Sequence, residues 1–191
     1  MGRIKRTWVP DAFYHIVSRG NRRDPLFQDQ RDFQVFLHTL SQTHEKTPFE
    51  LASYCFMTNH YHLQLRSQEE HISKVMALVN KRYANYYNAR YRLCGHVFEK
   101  RYYSKIIDGP QGMLAVSRYI HLNPLEAKMV KTPEHYPWSS FRYFTNQKKV
   151  PPFLCKELIL DCFDGSLMEK QRKYCDYVKA EEQEEIPEVI I

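Results

Sequence analysis

Apolar and polar residues alternate along some stretches of the chain and recur every three or four positions along others, which are the periods of strands and helices. The pattern predicts the order strand, helix, strand, strand, helix, strand, helix. These elements cover residues 13–19, 29–46, 48–57, 60–66, 71–92, 96–107 and 111–122. The last helix is expected to stop or bend at Pro124, because proline disfavours helical geometry in the preceding residue. The first six elements are those of an α+β, ferredoxin-like fold, a split βαβ antiparallel sheet with helices on one face.

The length of the chain and a change of pattern after residue 145 define the expected domains. A chain of 191 residues corresponds to one domain with or without an appendage. We expect a main domain over residues 1–145 and a C-terminal extension over 146–191. The extension contains Pro151-Pro152, a possible short helix and an acidic tail, and its function is unknown.

Positive charge is concentrated in the body of the chain. The formal net charge is +6, but residues 181–191 hold five glutamates and no lysine or arginine. Without those five negative charges, residues 1–180 carry +11. Clustered lysine and arginine gain affinity for phosphates by releasing counterions. The body therefore predicts nucleic acid as a partner, and charge that serves solubility alone is the alternative.

The sequence argues against several other classes of protein. Its five scattered cysteines form no CxxC pair, so they indicate neither a disulfide framework nor a cysteine zinc site and fit a reducing cytoplasm. No run of about 18 apolar residues could span a membrane, and the N-terminal segment lacks the apolar core of a signal peptide. A Gly-rich phosphate loop is also missing. We expect a cytoplasmic protein that needs neither a membrane nor a nucleotide cofactor.

Two histidines stand one residue apart in MTNHYHLQL, residues 57–65, at the start of a predicted strand. Because side chains alternate along a strand, His60 and His62 point to one face and Tyr61 to the other. Two neutral imidazoles on one face can bind one divalent ion and leave positions open for substrate and water. The spacing alone does not distinguish such a pair from two half-buried structural histidines.

A later stretch, SRYIHLNP at residues 117–124, offers side chains that could complete a site. Tyr119 and Asn123 are four residues apart and share a face of the predicted helix. Asn123 before Pro124 is also typical of a helix start, where the amide caps the helix instead of binding a ligand. His121 or a water could then take its place. Other histidines and tyrosines are interpreted as packing or stacking residues: His15, His96, Tyr102, Tyr103 and Tyr136.

Five stretches together resemble the single-tyrosine transposases of the HUH nuclease superfamily, and in particular the REP-associated tyrosine transposases of bacteria. They are YHIVSRGN (14–21), FMTNHYHLQL (56–65), GHVFEKRYYSK (95–105), SRYIHLNPLEAKMV (117–130) and YPWSSFRYF (136–144). They follow the family's order at compatible spacings over about residues 12–145. The resemblance implies that residues 1–145 form the catalytic domain.

The resemblance also implies an activity and a set of roles. Such a transposase nicks single-stranded DNA beside a hairpin, such as a REP-like palindrome, through a tyrosine that attacks the scissile phosphate. The products are a 5′-phosphotyrosine and a free 3′-hydroxyl, which can later rejoin strands. By position, Tyr119 on a C-terminal helix would be the nucleophile, and His60, His62 and Asn123 would bind Mg²⁺ or Mn²⁺. A homodimer is implied, in which one site could draw residues from both subunits.

Cations near these motifs are the candidates for contact with DNA. They are Arg19, Arg22, Arg23, Lys74, Lys81, Arg82, Lys100, Arg101 and Arg118. Two other functions stay open. One is a non-catalytic protein that binds hairpins or single-stranded nucleic acid and keeps a vestigial site. The other is a metal-independent phosphodiesterase or RNA nuclease; it is less favoured, because two histidines so close together would tend to serve one ion.

Overall fold

The computed structural model describes residues 8–145 and 149–180, and its strands and helices follow the predicted order. The elements of the sheet domain are β1 (Tyr14–Arg19), α1 (Gln30–Lys46), β2 (Glu50–Phe56), β3 (His60–Arg66), α2 (Ile72–Tyr91) and β4 (Tyr103–Ile106). They are followed by α3 (Gly109–Glu126), α4 (Arg142–Thr145), α5 (Glu157–Leu160) and α6 (Leu167–Lys179). Short 3-10 turns cover Asn21–Arg23 and Pro133–His135. Within the described ranges, no helix is both long and apolar enough to cross a membrane.

The four strands form one sheet in the order β2-β3-β1-β4, and every neighbouring pair is antiparallel. This is the predicted ferredoxin-like, split βαβ arrangement, so the predicted fold class is confirmed. The register of β1 and β3 sets Arg19 opposite His60 and Val17 opposite His62. Residues that oppose each other across two strands point to the same face. The β1 side chains at 15, 17 and 19 therefore share the face of the two histidines.

Each face of the sheet has its own hydrophobic core. Helices α1 and α2 pack together on one face, over buried strand residues such as Ile16, Tyr61 and Leu63. Helix α3 covers the opposite face, where Ile120 is buried with Cys55 of β2. The two helices of the split βαβ unit thus pack on one face of the sheet as predicted. The helix that carries Tyr119 packs on the other face.

Two predicted boundaries were wrong. The strand expected over residues 96–107 is only Tyr103–Ile106. Before it runs a loop that makes only an isolated antiparallel bridge, between Phe98 and Gly20. Its Val97 and Tyr102 are buried in the core under α1 and α2, so the apolar pattern mainly reflects anchoring of the loop. The helix expected over residues 111–122, to stop or bend at Pro124, instead runs from Gly109 through Pro124 to Glu126. Proline removes one backbone hydrogen bond, but only two more residues follow and the surrounding side chains are buried.

The C-terminal segment packs against α3 through a buried hydrogen-bond network. On α6, Tyr174 Oη lies 2.6 Å from both His121 Nδ1 and Ser117 Oγ of α3. His121 Nε2 lies 2.7 Å from Ser140 Oγ, which precedes α4. The position of α3 on the sheet is therefore tied to α6. The division of the chain at residue 145 stays a prediction, and the acidic tail lies outside the described residues.

Replacing Tyr174 by phenylalanine is expected to lower the free energy of unfolding by about 1–3 kcal/mol, because it leaves buried polar groups of His121 and Ser117 without a partner. Urea denaturation measures this change. The control is Tyr103→Phe, which removes the hydroxyl of a half-buried tyrosine on the edge strand β4. It should change the free energy by less than about 0.5 kcal/mol. Equal effects of the two changes would contradict a special role for the network.

Candidate active site

The two histidines of β3 and the tyrosine of α3 meet between the sheet and the helix. The rings of His60 and His62 have centroids 5.0 Å apart and are nearly perpendicular, at 83°. The Tyr119 ring lies edge-on to His62, with centroids 5.5 Å apart. Asn123 follows one turn later on the same helix and is also buried. The structure thus brings together the four residues that the sequence singled out; their roles stay predictions at this point.

A third histidine, His15 of β1, belongs to the same cluster. Its Nε2 atom lies 3.0 Å from His62 Nδ1, and the two rings stack with centroids 5.2 Å apart. The His15 ring also meets Tyr119 edge-on at 5.8 Å. The sequence interpretation took His15 for a structural residue. Strand alternation placed it on the same face as Arg19, but only the register of β1 against β3 shows that this face adjoins the histidine pair.

Three buried polar atoms of this site have no hydrogen-bond partner of normal geometry among the described residues. They are His60 Nε2, His62 Nε2 and Asn123 Nδ2. Such atoms are costly in a protein interior, so a cluster of them is a mark of a ligand site. A half-turn of the Asn123 amide exchanges its nitrogen and oxygen, and would direct the oxygen to the same place.

The donor set available to a metal ion is small. Within the described ranges, no group of three or more His, Cys, Asp or Glu side chains is arranged to hold a metal. Here the donors are two imidazoles and one amide. The remaining ring nitrogens are engaged, because His60 Nδ1 lies 2.7 Å from Asn59 Oδ1 and His62 Nδ1 faces His15. Of the four ring nitrogens, only the two Nε2 atoms therefore have no partner among the described residues.

Burial keeps the three imidazoles neutral. The pKa of His60 is lowered to about 4, mainly by burial and then by the charge of Arg19, while the Asn123 amide acts in the opposite direction. Burial also lowers the pKa of His62 well below its usual value, with the other two histidines and Arg19 adding to the effect. The pKa of His15 falls to about 4, through burial first and then the charge of a nearby lysine. At pH 7 each ring thus has one N–H and one lone pair.

Tyr119 is protonated at neutral pH. Burial raises the pKa of its phenol, and the charge of Glu126 acts in the same direction. The Asn123 amide and the charge of Arg19 lower that pKa. The charge of Arg19 thus lowers the pKa of the phenol and of both β3 histidines, so we assign Arg19 to this site. A neutral phenol is a weak nucleophile, so its reaction requires a base or a nearby cation.

Two alternatives raised by the sequence are corrected by the geometry. His121 was a candidate for the third ligand, but both of its ring nitrogens are engaged on the far side of α3, by Tyr174 and Ser140. Asn123 was a candidate helix cap, but it lies inside α3 and its amide is not used at a helix start. Tyr61 points to the opposite face as predicted, where its hydroxyl donates to Asn80 Oδ1 at 2.5 Å, so it lies away from the two histidines.

Comparison with known proteins identifies the family. The sequence model of the transposases described as IS200-like matches residues 9–123, more than half of the chain. The chain belongs to the IS200-like transposase family. A solved structure, described as the REP-associated tyrosine transposase bound to a REP hairpin, has a similar fold, with a TM-score of 0.65 and 17% sequence identity. The similarity covers 87% of this chain and 93% of that one. No curated protein matches the sequence.

The predicted DNA-contacting cations of this IS200-like transposase are only partly gathered around the site. Four of them line a cavity of about 290 Å³ next to the histidine face: Arg19, Arg23, Lys100 and Arg101. Lys81 lines a larger groove of about 1080 Å³ between α2 and the loop at residues 95–102, together with Lys100, Arg101, His96 and Phe98. Lys100 and Arg101 therefore connect the two concave surfaces.

The other predicted cations of the transposase lie elsewhere. Arg118 donates to backbone carbonyl groups near the end of α6, one of them at 3.2 Å. Arg82 donates to a threonine hydroxyl of α1 at 3.0 Å, and Lys74 is ion-paired with the glutamate four residues before it. Arg22 is exposed in a turn with left-handed backbone. Arg118 and Arg82 are thus engaged by the protein itself, whereas Arg22 is open to solvent.

The neutral buried imidazoles make the stability of the transposase depend on pH. Histidine has a pKa of about 6.5 in an unfolded chain, whereas burial lowers the pKa of His15 and of His60 to about 4. Between these values the unfolded state binds more protons, so the free energy of unfolding should decrease as pH falls from 7 to 5. Urea denaturation at pH 7, 6 and 5 measures the slope.

Substitutions distinguish the contribution of the buried histidines to this slope from the contributions of other titrating groups. His15→Gln should make this slope shallower, because one buried imidazole no longer titrates. His38→Gln replaces an exposed histidine of α1 and should leave the slope unchanged. A profile that is flat between pH 7 and 5 would contradict neutral burial of the site histidines.

Proposed function

We propose that this IS200-like transposase cuts single-stranded DNA beside a hairpin and rejoins strands through a covalent bond to Tyr119. The observation that carries the proposal is the pair of unpartnered Nε2 atoms of His60 and His62 next to the Tyr119 ring, all in one chain. Membership of the family supports the transposase activity. The hairpin in the structurally similar transposase supports a REP-like palindrome as the substrate.

His60, His62 and Asn123 are the proposed ligands of Mg²⁺ or Mn²⁺. The fit rests on two neutral imidazoles with lone pairs at Nε2 and on an amide that can turn its oxygen toward them. A divalent ion bound there would neutralise charge on the oxygens of the scissile phosphate as the transition state forms. The two imidazoles and the amide would occupy only part of its coordination shell, which leaves room for DNA.

Tyr119 is the proposed nucleophile. Its oxygen forms a bond to phosphorus while the bond from phosphorus to the 3′ oxygen breaks, so the 5′ phosphate remains on the tyrosine and a 3′-hydroxyl is released. Burial keeps the phenol protonated, and the charge of Arg19 favours the phenolate that must form. The 3′-hydroxyl of the same or another strand can reverse the exchange. Since the energy of the broken bond is retained, no nucleotide cofactor is needed.

The cations at the edge of the site are the proposed path of the DNA backbone. Arg19, Arg23, Lys100 and Arg101 line one cavity next to the histidine face, which would attract consecutive phosphates. One chain supplies all the proposed reacting groups, because Tyr119 lies against His62 of the same chain. The homodimer implied by the family resemblance stays a prediction, which light scattering during size exclusion would test.

Tyr119→Phe is expected to abolish covalent attachment of the protein to DNA, because no oxygen remains to attack the phosphate. The substrate is a single strand that carries a hairpin, incubated with Mn²⁺, and the adduct is detected as a slower band on a denaturing gel. Tyr177→Phe, on α6 and outside both concave surfaces, is the matched control and should form the adduct as the unchanged protein does.

Each outcome of this experiment has a distinct meaning. An adduct that persists in Tyr119→Phe would show that another residue is the nucleophile. Tight binding of the hairpin in EDTA, with no adduct from the unchanged protein under any divalent ion, would instead support a non-catalytic hairpin-binding protein.

Replacing Lys100 and Arg101 together by glutamine should weaken binding of the hairpin substrate and reduce its dependence on salt. For a single strand, each phosphate that a cation no longer neutralises reduces the slope of log affinity against log salt by about 0.7. Binding in EDTA at several salt concentrations measures both quantities. The double change Arg172→Gln and Lys173→Gln removes the same charge from exposed positions of α6 and should have little effect. Equal losses in the two variants would indicate that net charge alone attracts the DNA.

A further inference from the structure

We propose that His15 and Asn59 are positioning residues that hold the two metal-binding histidines in the tautomer with a lone pair at Nε2. The inference rests on the metal role proposed above for His60 and His62. A neutral imidazole carries one proton, on either Nδ1 or Nε2, and only the unprotonated nitrogen can bind a metal. The partner of Nδ1 therefore decides whether Nε2 is available.

For His60 that partner is the Asn59 side chain. Its Oδ1 lies 2.7 Å from His60 Nδ1, and an amide oxygen can only accept a hydrogen bond. The orientation of the Asn59 amide is fixed from its other end, because Nδ2 donates to the backbone carbonyl of Arg23 at 3.1 Å. His60 Nδ1 must then carry the proton. The Nε2 lone pair is left pointing into the site, where no described residue partners it.

For His62 the partner is His15. The two nitrogens lie 3.0 Å apart, so one of them donates and the other accepts. If His15 donated, His62 Nε2 would carry a buried N–H, although this atom has no hydrogen-bond partner among the described residues. Buried N–H groups without an acceptor are rare. If His15 accepts, His62 Nε2 presents a lone pair, as it does for His60.

The arrangement has the usual form of a metal site with a second layer of hydrogen bonds. Ligating histidines commonly donate their other N–H to an oxygen, and loss of such a partner commonly lowers metal affinity about 10- to 100-fold. Here a neutral imidazole and a neutral amide serve as those partners instead of carboxylates. They orient both ligand rings without adding negative charge beside a DNA phosphate. The bonds also tie the site to the turn that holds Arg23.

The tautomers can be read directly from the metal-free protein. Long-range ¹H–¹⁵N correlation spectra distinguish protonated from unprotonated ring nitrogens. We expect protons on Nδ1 of both His60 and His62 in the unchanged protein, and a shift of His62 toward the Nε2-protonated form in His15→Phe. Protons on Nε2 of His60 and His62 in the unchanged protein would overturn the proposal whether or not any variant folds.

Metal affinity provides the second measurement. The dissociation constant of Mn²⁺, from the signal of free Mn²⁺ in electron paramagnetic resonance, should rise about 10- to 100-fold in His15→Phe and Asn59→Ala. His15→Gln keeps a side-chain oxygen that can accept the hydrogen bond and should stay within a few-fold of the unchanged protein. His44→Phe removes an imidazole that bonds to Phe49 on the other side of the sheet, and serves as the control for loss of a half-buried histidine.

The outcomes separate this inference from the proposed function. Unchanged Mn²⁺ affinity in folded His15→Phe and Asn59→Ala would overturn the positioning role, while adduct formation by the unchanged protein would still support the transposase mechanism. Failure of the unchanged protein to bind Mn²⁺ or to form an adduct would overturn the metal role itself. Hairpin binding in EDTA should be the same in His15→Phe, His15→Gln and His44→Phe as in the unchanged protein, because neither His15 nor His44 is a proposed DNA contact.

Discussion

The antiparallel register of β1 against β3 is the constraint on which the rest of the site depends. It sets Arg19 opposite His60 and brings His15 beside the histidine pair. Side chains alternate along a strand, so a slip of one residue would turn His15 and Arg19 into the core beneath α1 and α2, where Ile16 is now fully buried. The apolar residues of β1 thus fix the register, and the register in turn fixes the position of the polar ones.

Local periodicity was sufficient for the parts of the site that lie within one element. The period of a strand puts His60 and His62 on one face, and the period of a helix aligns Tyr119 with Asn123, as the structure has them. The order of strands and helices was likewise sufficient for the ferredoxin-like sheet, because few topologies are compatible with that order and short connections. What a single element dictates could therefore be predicted from the sequence.

The remaining features depend on contacts between elements, which a local pattern does not contain. The contact of His15 with His62 can be predicted only when the register of β1 against β3 is known. The hydrogen bond from Arg118 to a backbone carbonyl of α6 can be predicted only when the position of α6 is known. Pro124 shows a local preference overridden by burial, since the helix passes through a residue that normally ends it. The loop before β4 shows the reverse, where Val97 is buried without belonging to a strand. In each case a tertiary contact decided between outcomes that the sequence left open.

Helix α6 is hydrogen-bonded to α3, so the family match and the packed structure end at different places in the chain. The match to the family's sequence model ends at residue 123, inside α3, whereas the hydrogen bonds that orient this helix extend to Tyr174. The direction of Tyr119, the proposed nucleophile, is therefore set in part by a segment beyond the family match. Changes in that segment can tilt the tyrosine helix over an unaltered pair of histidines. In the proposed mechanism, such a tilt would change the angle at which Tyr119 meets the phosphate while His60 and His62 stay in place.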